Sequence, residues 1–402
     1  MALLAVADAL AAVLTKAEPL ASEDVPLDAA VGRVLTADLA ALRTQPPADV
    51  SAMDGYAVRG DDVAAPAVLR VIGEIAAGRP FAGTIGPGEA ARIFTGAVMP
   101  DGADTVVIQE VTSREGDNVA IKRPEGKGRH VRRKGYDFAA GDVLLRKGQR
   151  LTSRGIALAG AMNHARVPLH RRPRVAVFAT GDELVEPGTP PAPGQIVHSN
   201  GISLAALART EGAEAIDFGI VPDRLDATIA AVRRARAEGV DVLVTSGGAS
   251  VGDYDFVQQA FAAEGMALSF WKVALRPGRP LMHGRLDGMH VLGLPGNPVS
   301  AYVCAVLFFL PLLRRLAGRS DHALPCETAV LGCALGANDE RADYMRATLE
   351  RRADGILVAT PFRAQDSSLL VPLAAADCLL IREPFAPAAE PGSPCVIVNL
   401  QF

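Results

Sequence analysis

The feature that most constrains the fold is a regular alternation of strand and helix patterns over residues 174–316. Apolar runs of about four to eight residues are typical of buried strands, and helical spacing follows each run. This alternation predicts a mostly parallel sheet with helices on both faces, the doubly wound α/β class. The expected strands are Arg174–Ala179, Glu214–Gly219, Asp241–Thr245, Ala267–Ala274 and His290–Leu294. The expected helices are Ser199–Glu211, Arg224–Glu238, Tyr254–Ala263 and Pro298–Leu316.

Distinctive motifs follow the expected strands at the ends where such sheets bind ligands. Thr180–Leu184 follows the first strand, Val221–Asp223 follows the second, and Leu294–Pro298 follows the last. After the third strand, Thr245–Gly248 offers small residues that permit a tight turn and direct backbone N–H groups at an anion. We therefore expect one ligand site at this edge of the sheet.

The segment after that glycine turn excludes one common phosphate loop. Gly247 and Gly252 have the spacing of a Walker loop, but Asp253 and Tyr254 replace its Lys and Ser/Thr. Asp253 and Asp255 beside an anion cradle indicate a metal-assisted site, and an ordinary strand-to-helix turn is the alternative. Asn297 is expected to cap the helix that begins after it.

The regions on either side of the alternating segment have other patterns. Residues 56–123 and 325–402 contain short strands with glycine and proline turns, which predicts a small β domain and a small β-barrel or sandwich. Leu3–Leu14 has helical spacing, contains Asp8 and lacks a basic leader, so an amphipathic helix is expected rather than a signal peptide. Val299–Leu313 is apolar but shorter than the ~18–20 residues that span a membrane, which predicts a buried helix.

Composition limits the possible functions. The 402 residues are 49% hydrophobic with a net charge of −4, which predicts several well-packed domains and gives no indication of nucleic-acid binding. The five cysteines form no Cys-x-x-Cys pair, which favours free thiols in a reducing cytoplasm. The seven histidines are scattered, so no zinc site or histidine triad is expected. A basic stretch between Ile121 and Arg150 is either a solvated face or an anion-binding lip.

Six motifs, in this order, resemble the molybdopterin molybdenumtransferase family of the MoeA type, which is homologous to the E domain of gephyrin. Each motif alone has low specificity, but the ordered set extends over nearly the whole chain. The motifs are Ser51–Ala57 (SAMDGYA), Thr95–Ala97 (TGA), Thr180–Leu184 (TGDEL), Ser246–Gly252 (SGGASVG), Pro277–Pro280 (PGRP) and Leu294–Ser300 (LPGNPVS).

The resemblance implies an enzyme that inserts molybdenum from molybdate into adenylylated molybdopterin and releases AMP, with Mg²⁺ or a similar divalent cation. It implies a cytoplasmic homodimer whose cleft combines the doubly wound domain of one subunit with the N-terminal region of the other. Partners would include the molybdopterin adenylyltransferase and downstream cofactor-handling proteins. The implied domains are a dimerisation domain (1–48 plus 140–172), an inserted β domain (49–139), the molybdopterin-binding domain (173–320) and a C-terminal β domain (325–402).

The resemblance also implies roles for individual residues. Hard carboxylate oxygens suit Mg²⁺, and cations offset phosphate and molybdate charge. The expected metal ligands are Glu183, Asp223 and Asp255. The expected catalytic residues are these three with Asp54, Thr95, Asp137, Lys272 and Arg276. The expected cofactor-binding residues are Ser246, Gly247, Gly248, Arg132, Pro295, Pro298, Arg346 and Ser367.

The chain departs from the family pattern at a few positions. Arg276 stands where lysine is more frequent, and arginine cannot act as a neutral amine. Tyr136 leaves Asp137 as one acid of a usual pair, and Val50 replaces a common asparagine. Two other functions remain open from the sequence, a molybdopterin adenylyltransferase and a non-catalytic molybdopterin-binding scaffold. The choice between molybdenum and tungsten also remains open.

Overall fold

The computed structural model describes residues 3–247 and 256–401. The chain forms two compact units, each with its own core. The β unit consists of residues 24–31 and 37–167, and the α/β unit consists of residues 1–23, 32–36 and 168–402. Two strands, Ser22–Pro26 and Arg166–His170, contain residues of both units.

The β unit is organised by a six-stranded sheet. Alternating apolar residues such as Val58, Leu69 and Val119 fill a core on one face of this sheet, whereas Ala57 and Val106 belong to a second core cluster. The strands in spatial order are Thr105–Ile108, Gly55–Val58, Glu89–Ile93, Ala67–Ile75, Asn118–Ile121 and Thr112–Glu115. Shorter elements are the strands Leu39–Ala40, Val50–Ser51, Val131–Arg132 and Val143–Leu145, the 3₁₀ turns Leu27–Ala29, Gly60–Val63 and Gln109–Val111, and the helix Ser153–Ala161.

The α/β unit contains the predicted doubly wound sheet. Four of its six strands pair with one another in parallel, and their order reverses along the chain as in ligand-binding α/β folds. In spatial order the strands are Glu214–Val221, Arg174–Thr180, Val242–Ser246, Met289–Leu294, Met282–Leu286 and Ala267–Trp271. Helices Val6–Leu14, Asn200–Thr210, Leu225–Ala237 and Phe256–Ala263 also belong to this unit, with short strands at Leu184–Val185 and Ile196–Val197.

Successive side chains of each strand point to opposite sides of this sheet, and a core covers each side. Val175 and Val177 pack with Leu204, whereas Ala176 and Phe178 pack with the helices on the other face. The register also aligns the strand ends, since Thr180 lies opposite Val221, Ala179 opposite Ser246, and Ser246 opposite Leu294. The carboxyl ends of all four parallel strands therefore meet at one edge.

The apolar stretch Pro298–Leu316 forms a core helix, as predicted. It is long and apolar enough to cross a membrane, with a mean hydropathy of 1.7, but 89% of it is buried inside the protein. Two α-helical segments, Pro298–Cys304 and Leu310–Leu316, flank a π-helical turn at Ala305–Phe309. Pro311 has no N–H for the preceding turn, which accounts for this local widening.

The C-terminal part of the α/β unit is a closed five-stranded β-barrel, which confirms the predicted barrel class. The short strand Leu275–Arg276 adds to its edge by pairing with the start of Ala342–Arg351. The barrel strands in order are Ala342–Arg351, Leu357–Pro361, Cys326–Leu331, Pro394–Asn399 and Cys378–Arg382, and a short helix spans Leu370–Ala374.

One strand of the sheet was missed. This strand, Met282–Leu286, is antiparallel to both of its neighbours, Met289–Leu294 and Ala267–Trp271, so the sheet is mixed rather than wholly parallel. Met282–Leu286 and Met289–Leu294 form a hairpin around Asp287 and Gly288. Asp-Gly is a hairpin-turn signal that the alternating pattern concealed. The other described strands and helices of residues 174–316 lie where the pattern predicts them, within a few residues at each end, and the expected helix start at Tyr254 lies outside the described residues.

Candidate active site

A cavity of about 690 Å³ lies at the carboxyl ends of the parallel strands. The edge of a doubly wound sheet is the usual ligand position because loops, rather than helices, cover it. Six predicted site residues line this cavity, namely Glu183, Asp223, Ser246, Gly247, Pro295 and Pro298. The structure therefore brings together side chains that are up to 115 positions apart in sequence (183 to 298).

The turn after strand Val242–Ser246 requires glycine. Gly247 has a φ of +93°, and an added Cβ would lie 2.6 Å from the carbonyl oxygen of Thr180. Ser246 is held in place from two sides, since its Oγ accepts a hydrogen bond from Asn200 Nδ2 at 2.7 Å and donates to Pro295 O at 3.4 Å. Asn200 Nδ2 also donates to Gly296 O at 2.7 Å. One amide thus connects two of the predicted loops.

Two of the predicted metal ligands lie in the cavity wall. The carboxylate of Glu183 rests against Gly181, where an added Cβ would lie 2.5 Å from Oε2. The Asp223 N–H donates to Asp182 Oδ1 at 3.1 Å. Burial, followed by repulsion from Asp182 and Glu183, raises the pKa of Asp223 above its ordinary value. This concentration of negative charge would be relieved by a bound cation.

The donor chemistry of this wall fits a hard divalent cation. Glu183 and Asp223 supply the carboxylate oxygens that Mg²⁺ prefers. The third predicted ligand, Asp255, and the predicted cofactor-binding Gly248 lie outside the described residues. Within residues 3–247 and 256–401, no three His, Cys, Asp or Glu side chains are grouped closely enough to hold a metal ion. The described wall therefore offers two ligands, and the assignment of a third stays a prediction.

The barrel contributes a loop next to the cavity. Ser367 Oγ accepts a hydrogen bond from Asn297 Nδ2 at 2.9 Å, and Ser367 O accepts from Val299 N at 3.1 Å. The expectation that Asn297 caps its helix was wrong, because its side chain makes no cap hydrogen bond and binds Ser367 instead. The adjacent Ser368 lines the cavity. The predicted Ser367 thus lies at the edge of the site.

Arg346 forms hydrogen bonds with this loop but is not among the residues that line the cavity. Its side chain is fully buried, and its guanidinium donates to Gln365 Oε1 at 3.1–3.2 Å and to Asp366 O at 2.9 Å. Burial lowers the pKa of Arg346, which remains a cation held by these acceptors. These contacts indicate that Arg346 holds the loop at Gln365 and Asp366 in its conformation.

The two predicted cations of the α/β unit have different surroundings. Arg276 donates to Asp339 Oδ2 at 2.9 Å, to Asp343 Oδ2 at 2.7 Å and to Asn338 Oδ1 at 3.0 Å. The hydrogen bond to Asp343 is the main reason that the pKa of Arg276 is raised. Lys272 instead has its Nζ 4.5 Å from the centre of the Trp271 ring. Arg276 is thus engaged by barrel carboxylates, whereas no described carboxylate pairs with Lys272.

Four predicted residues belong to the β unit. Asp54 and Thr95 are joined directly, since the Thr95 N–H and Oγ1 donate to Asp54 Oδ1 at 2.7 and 2.8 Å. The backbone hydrogen bond, followed by the hydroxyl, lowers the pKa of Asp54. Arg132 lies in the short strand opposite Val50, and Asp137 is exposed with its N–H donating to Gln45 O at 3.0 Å. The structure therefore pairs Asp54 with Thr95 and leaves Arg132 and Asp137 apart from them in their contacts.

Sequence reasoning missed several polar groups of the cavity. His198, Ser199 and Asn200 line it at the start of helix Asn200–Thr210, the end at which a helix has free backbone N–H groups. Thr180 Oγ1 and His198 Nε2 are buried without a hydrogen-bond partner among the described residues. The helix was expected to start at Ser199, and the pair Ser199-Asn200, two residue types that favour helix N-termini, was the signal that its first residues could contribute to the site.

A mixed sheet with an acidic, glycine-lined cavity at its strand ends is typical of ligand-binding α/β domains. Residues 4–162 match the MoeA N-terminal region (domains I and II), residues 176–315 match a probable molybdopterin binding domain, and residues 328–400 match the MoeA C-terminal region (domain IV).

Two relatives that are similar to this chain over most of its length are named as molybdopterin molybdenumtransferases. Molybdopterin molybdenumtransferase 2 of Mycobacterium tuberculosis is 40% identical over 347 residues, covering 84% of this chain and 85% of the relative. Molybdopterin molybdenumtransferase of Haemophilus influenzae is 34% identical over 367 residues, covering 91% and 90%. The chain belongs to the molybdopterin molybdenumtransferase family, a family of transferases, as the six motifs predicted.

The fold has a close counterpart among crystal structures. The molybdopterin biosynthesis MoeA protein of Pyrococcus horikoshii superposes with a TM-score of 0.84 at 30% identity, covering 100% of both chains. A molybdenum cofactor biosynthesis protein of Pyrococcus furiosus shares the fold with a TM-score of 0.59 at 20% identity, covering 99% of this chain and 100% of that one. The predicted fold class is confirmed.

Proposed function

We propose that this protein inserts molybdenum, supplied as molybdate, into adenylylated molybdopterin and releases AMP, in the last step of molybdenum cofactor biosynthesis. The observation that carries this proposal is the cavity at the strand ends, where two carboxylates, a glycine turn and a helix N-terminus share one wall. Membership of the molybdopterin molybdenumtransferase family supports it, since the Mycobacterium tuberculosis relative bears that name at 40% identity.

The cavity wall suits an anionic pterin nucleotide. The turn at Ser246 and Gly247 and the helix start at Ser199 and Asn200 offer backbone donors, which bind phosphate groups without a charged side chain. Pro295, as part of the adjacent loop, narrows the conformations that the wall can adopt. A phosphate group held there would lie beside the acidic part of the same wall.

Glu183 and Asp223 would hold Mg²⁺ at this acidic part. When bound, Mg²⁺ neutralises phosphate charge and polarises the phosphoryl oxygens. The raised pKa of Asp223 supports this role, because a cation would replace the repulsion from Asp182 and Glu183 with attraction. Lys272 provides a positive charge for the incoming oxyanion.

The protein acts as a homodimer in which Asp54 of the partner subunit completes each site. Asp54 and Thr95 support this assignment, since the two hydrogen bonds from Thr95 hold Asp54 Oδ1 and leave Oδ2 for another contact. The substrate would come from a molybdopterin adenylyltransferase, and the finished cofactor would pass to downstream cofactor-handling proteins.

The proposal is tested with the purified protein, adenylylated molybdopterin and Mg²⁺, with and without molybdate. The two readouts are AMP released and activity restored to a metal-free molybdoenzyme. We expect both to depend on molybdate, and we expect Glu183→Gln to lower both at least about tenfold, since a misplaced or lost metal ligand has effects of that order. Tungstate in place of molybdate measures the choice of oxyanion.

Two results would contradict the proposal. Formation of adenylylated pterin from ATP and molybdopterin without molybdate would indicate an adenylyltransferase. Full restoration of molybdoenzyme activity by Glu183→Gln in a deficient strain would indicate a non-catalytic scaffold.

A further inference from the structure

Arg92 lies directly behind the turn that carries Asp54. It belongs to strand Glu89–Ile93, which pairs antiparallel with Gly55–Val58 so that Arg92 stands opposite Tyr56. Its Nη1 donates to Gly55 O at 3.0 Å, and its Nη2 donates to Gln109 Oε1 at 2.6 Å. The fork of the guanidinium therefore bridges the residue that follows Asp54 and a second strand end.

Gln109 links this bridge back to Asp54. The Gln109 N–H donates to Asp54 O at 3.1 Å. Gln109 therefore contacts Asp54 through its backbone and Arg92 through its side chain. The two peptide units that follow the Asp54 α-carbon are thus fixed, the first through Asp54 O and the second through Gly55 O. A carboxylate on a short turn depends on such restraints for its direction.

Two aromatic rings restrain the guanidinium of Arg92. The Cζ of Arg92 lies 4.9 Å from the centre of the Phe94 ring and 5.4 Å from that of Tyr56. Both distances are within cation–π range, where arginine is favoured over lysine for its flat, delocalised charge. The positive charge also favours the ionised form of the Asp54 carboxyl. Arg92 therefore has an electrostatic and a geometric effect on the same side chain.

We propose that Arg92 is a positioning residue for molybdenum insertion, which aims the Asp54 carboxylate by clamping Gly55 O and Gln109. This inference rests on the proposed function for its kinetic consequence only. The clamp itself is independent of the substrate. Arg92 does not need to touch the reacting atoms, since Asp54 Oδ1 is held by Thr95 and the clamp sets the main chain beneath it.

The test compares Arg92→Lys, which keeps the charge but loses the fork, with Arg92→Gln, which loses the charge. We expect kcat of Arg92→Lys to fall about tenfold to a hundredfold, as for other supporting residues of a reactive group, with KM for molybdate little changed. Arg70→Lys is the matched control, because Arg70 makes an exposed ion pair with Glu89 at 2.6 Å in the same sheet. We expect it to keep wild-type kcat.

The pH profile separates positioning from simple fold stabilisation. Loss of a nearby positive charge raises the pKa of a carboxyl, so the acidic limb of kcat should move to higher pH in Arg92→Gln. It should stay in place in Arg92→Lys, which keeps the charge. If both variants instead lose melting temperature and kcat together with no movement of the limb, Arg92 is a fold-stabilising residue and the proposal is overturned.

Amide hydrogen exchange tests the clamp without any turnover. The N–H groups of Thr95 and Gln109 bind Asp54, so their exchange should quicken in Arg92→Lys and stay unchanged in Arg70→Lys. Wild-type exchange and wild-type kcat in Arg92→Lys would refute the inference. A wild-type protein that fails to insert molybdenum would contradict the proposed function alone, and the exchange comparison would still decide on the clamp.

Discussion

Lowering the pH from 7.5 to 5 should destabilise the α/β unit through two buried histidines. His283 and His290 lie on the hairpin strands and are 0% and 2% exposed. His283 Nε2 is 3.3 Å from His290 Nδ1, and Arg285 Nη1 is 2.6 Å from His290 Nε2. Burial, with repulsion from Arg285, lowers the pKa of His283 to about 4 and that of His290 to about 3.

The sign and size of the effect follow from these values. Below the ordinary pKa of about 6.5, the unfolded chain binds protons that the folded protein does not bind, so stability falls as the pH falls. A pH of 5 lies about 1.5 units below the pKa of a histidine in the unfolded chain. This gap corresponds to about 2 kcal/mol for each histidine, at ~1.36 kcal/mol per unit. The pair should therefore lower the free energy of unfolding by about 4 kcal/mol, a large part of the ~5–15 kcal/mol typical of a domain.

The assay is urea unfolding followed by fluorescence of Trp271, the single tryptophan of the chain. This residue reports on the relevant sheet, because Trp271 pairs with Met282 beside the histidine hairpin. A His283→Gln, His290→Gln double variant cannot take up these protons, so it should lose about 4 kcal/mol less than the wild type between pH 7.5 and 5. Between pH 7.5 and 9 the two proteins should change equally. Equal losses on the acidic side would refute the reasoning.

Two further predictions concern the site. Gly247→Ala should raise KM for the adenylylated pterin at least about tenfold, because its Cβ would meet Thr180 O at 2.6 Å and displace the turn. The control is Gly160→Ala, at a helical position with ordinary contacts, which should match the wild type in steady-state kinetics. Mixing Asp54→Ala with Glu183→Ala subunits should restore about half of the wild-type AMP release per verified mixed dimer, since one site in each keeps both acids. No recovery would argue against a site shared between subunits.

The sequence predicted the edge of the sheet well because that prediction needs only local patterns. An apolar run predicts a strand, and the motif after it must then lie at the strand end, as Glu183, Asp223 and Ser246 do. The hairpin was missed for a local reason too. The Asp287-Gly288 turn signal was present, but the strand before it, Met282–Leu286, was not among the expected strands.

Side-chain partners from distant segments could not be predicted in the same way. Asp54 and Thr95 are 41 positions apart, and their pairing depends on how two strands of the β unit align. The burial of Arg346 depends on the loop at Gln365, which no periodicity reveals. Motif resemblance identified these residues as important, but only the contacts distinguish a buried organiser such as Arg346 from a residue that lines the cavity.

Arg276 illustrates how such contacts change an interpretation. From the resemblance, Arg276 was expected to be a catalytic cation that offsets phosphate and molybdate charge. In the structure the fork binds Asp339, Asn338 and Asp343, acceptors that a single lysine ammonium could not reach in the same geometry. Arginine at this position therefore anchors the barrel to the strand that precedes it. Lys272 has no carboxylate partner among the described residues, and its role toward an incoming oxyanion stays a prediction.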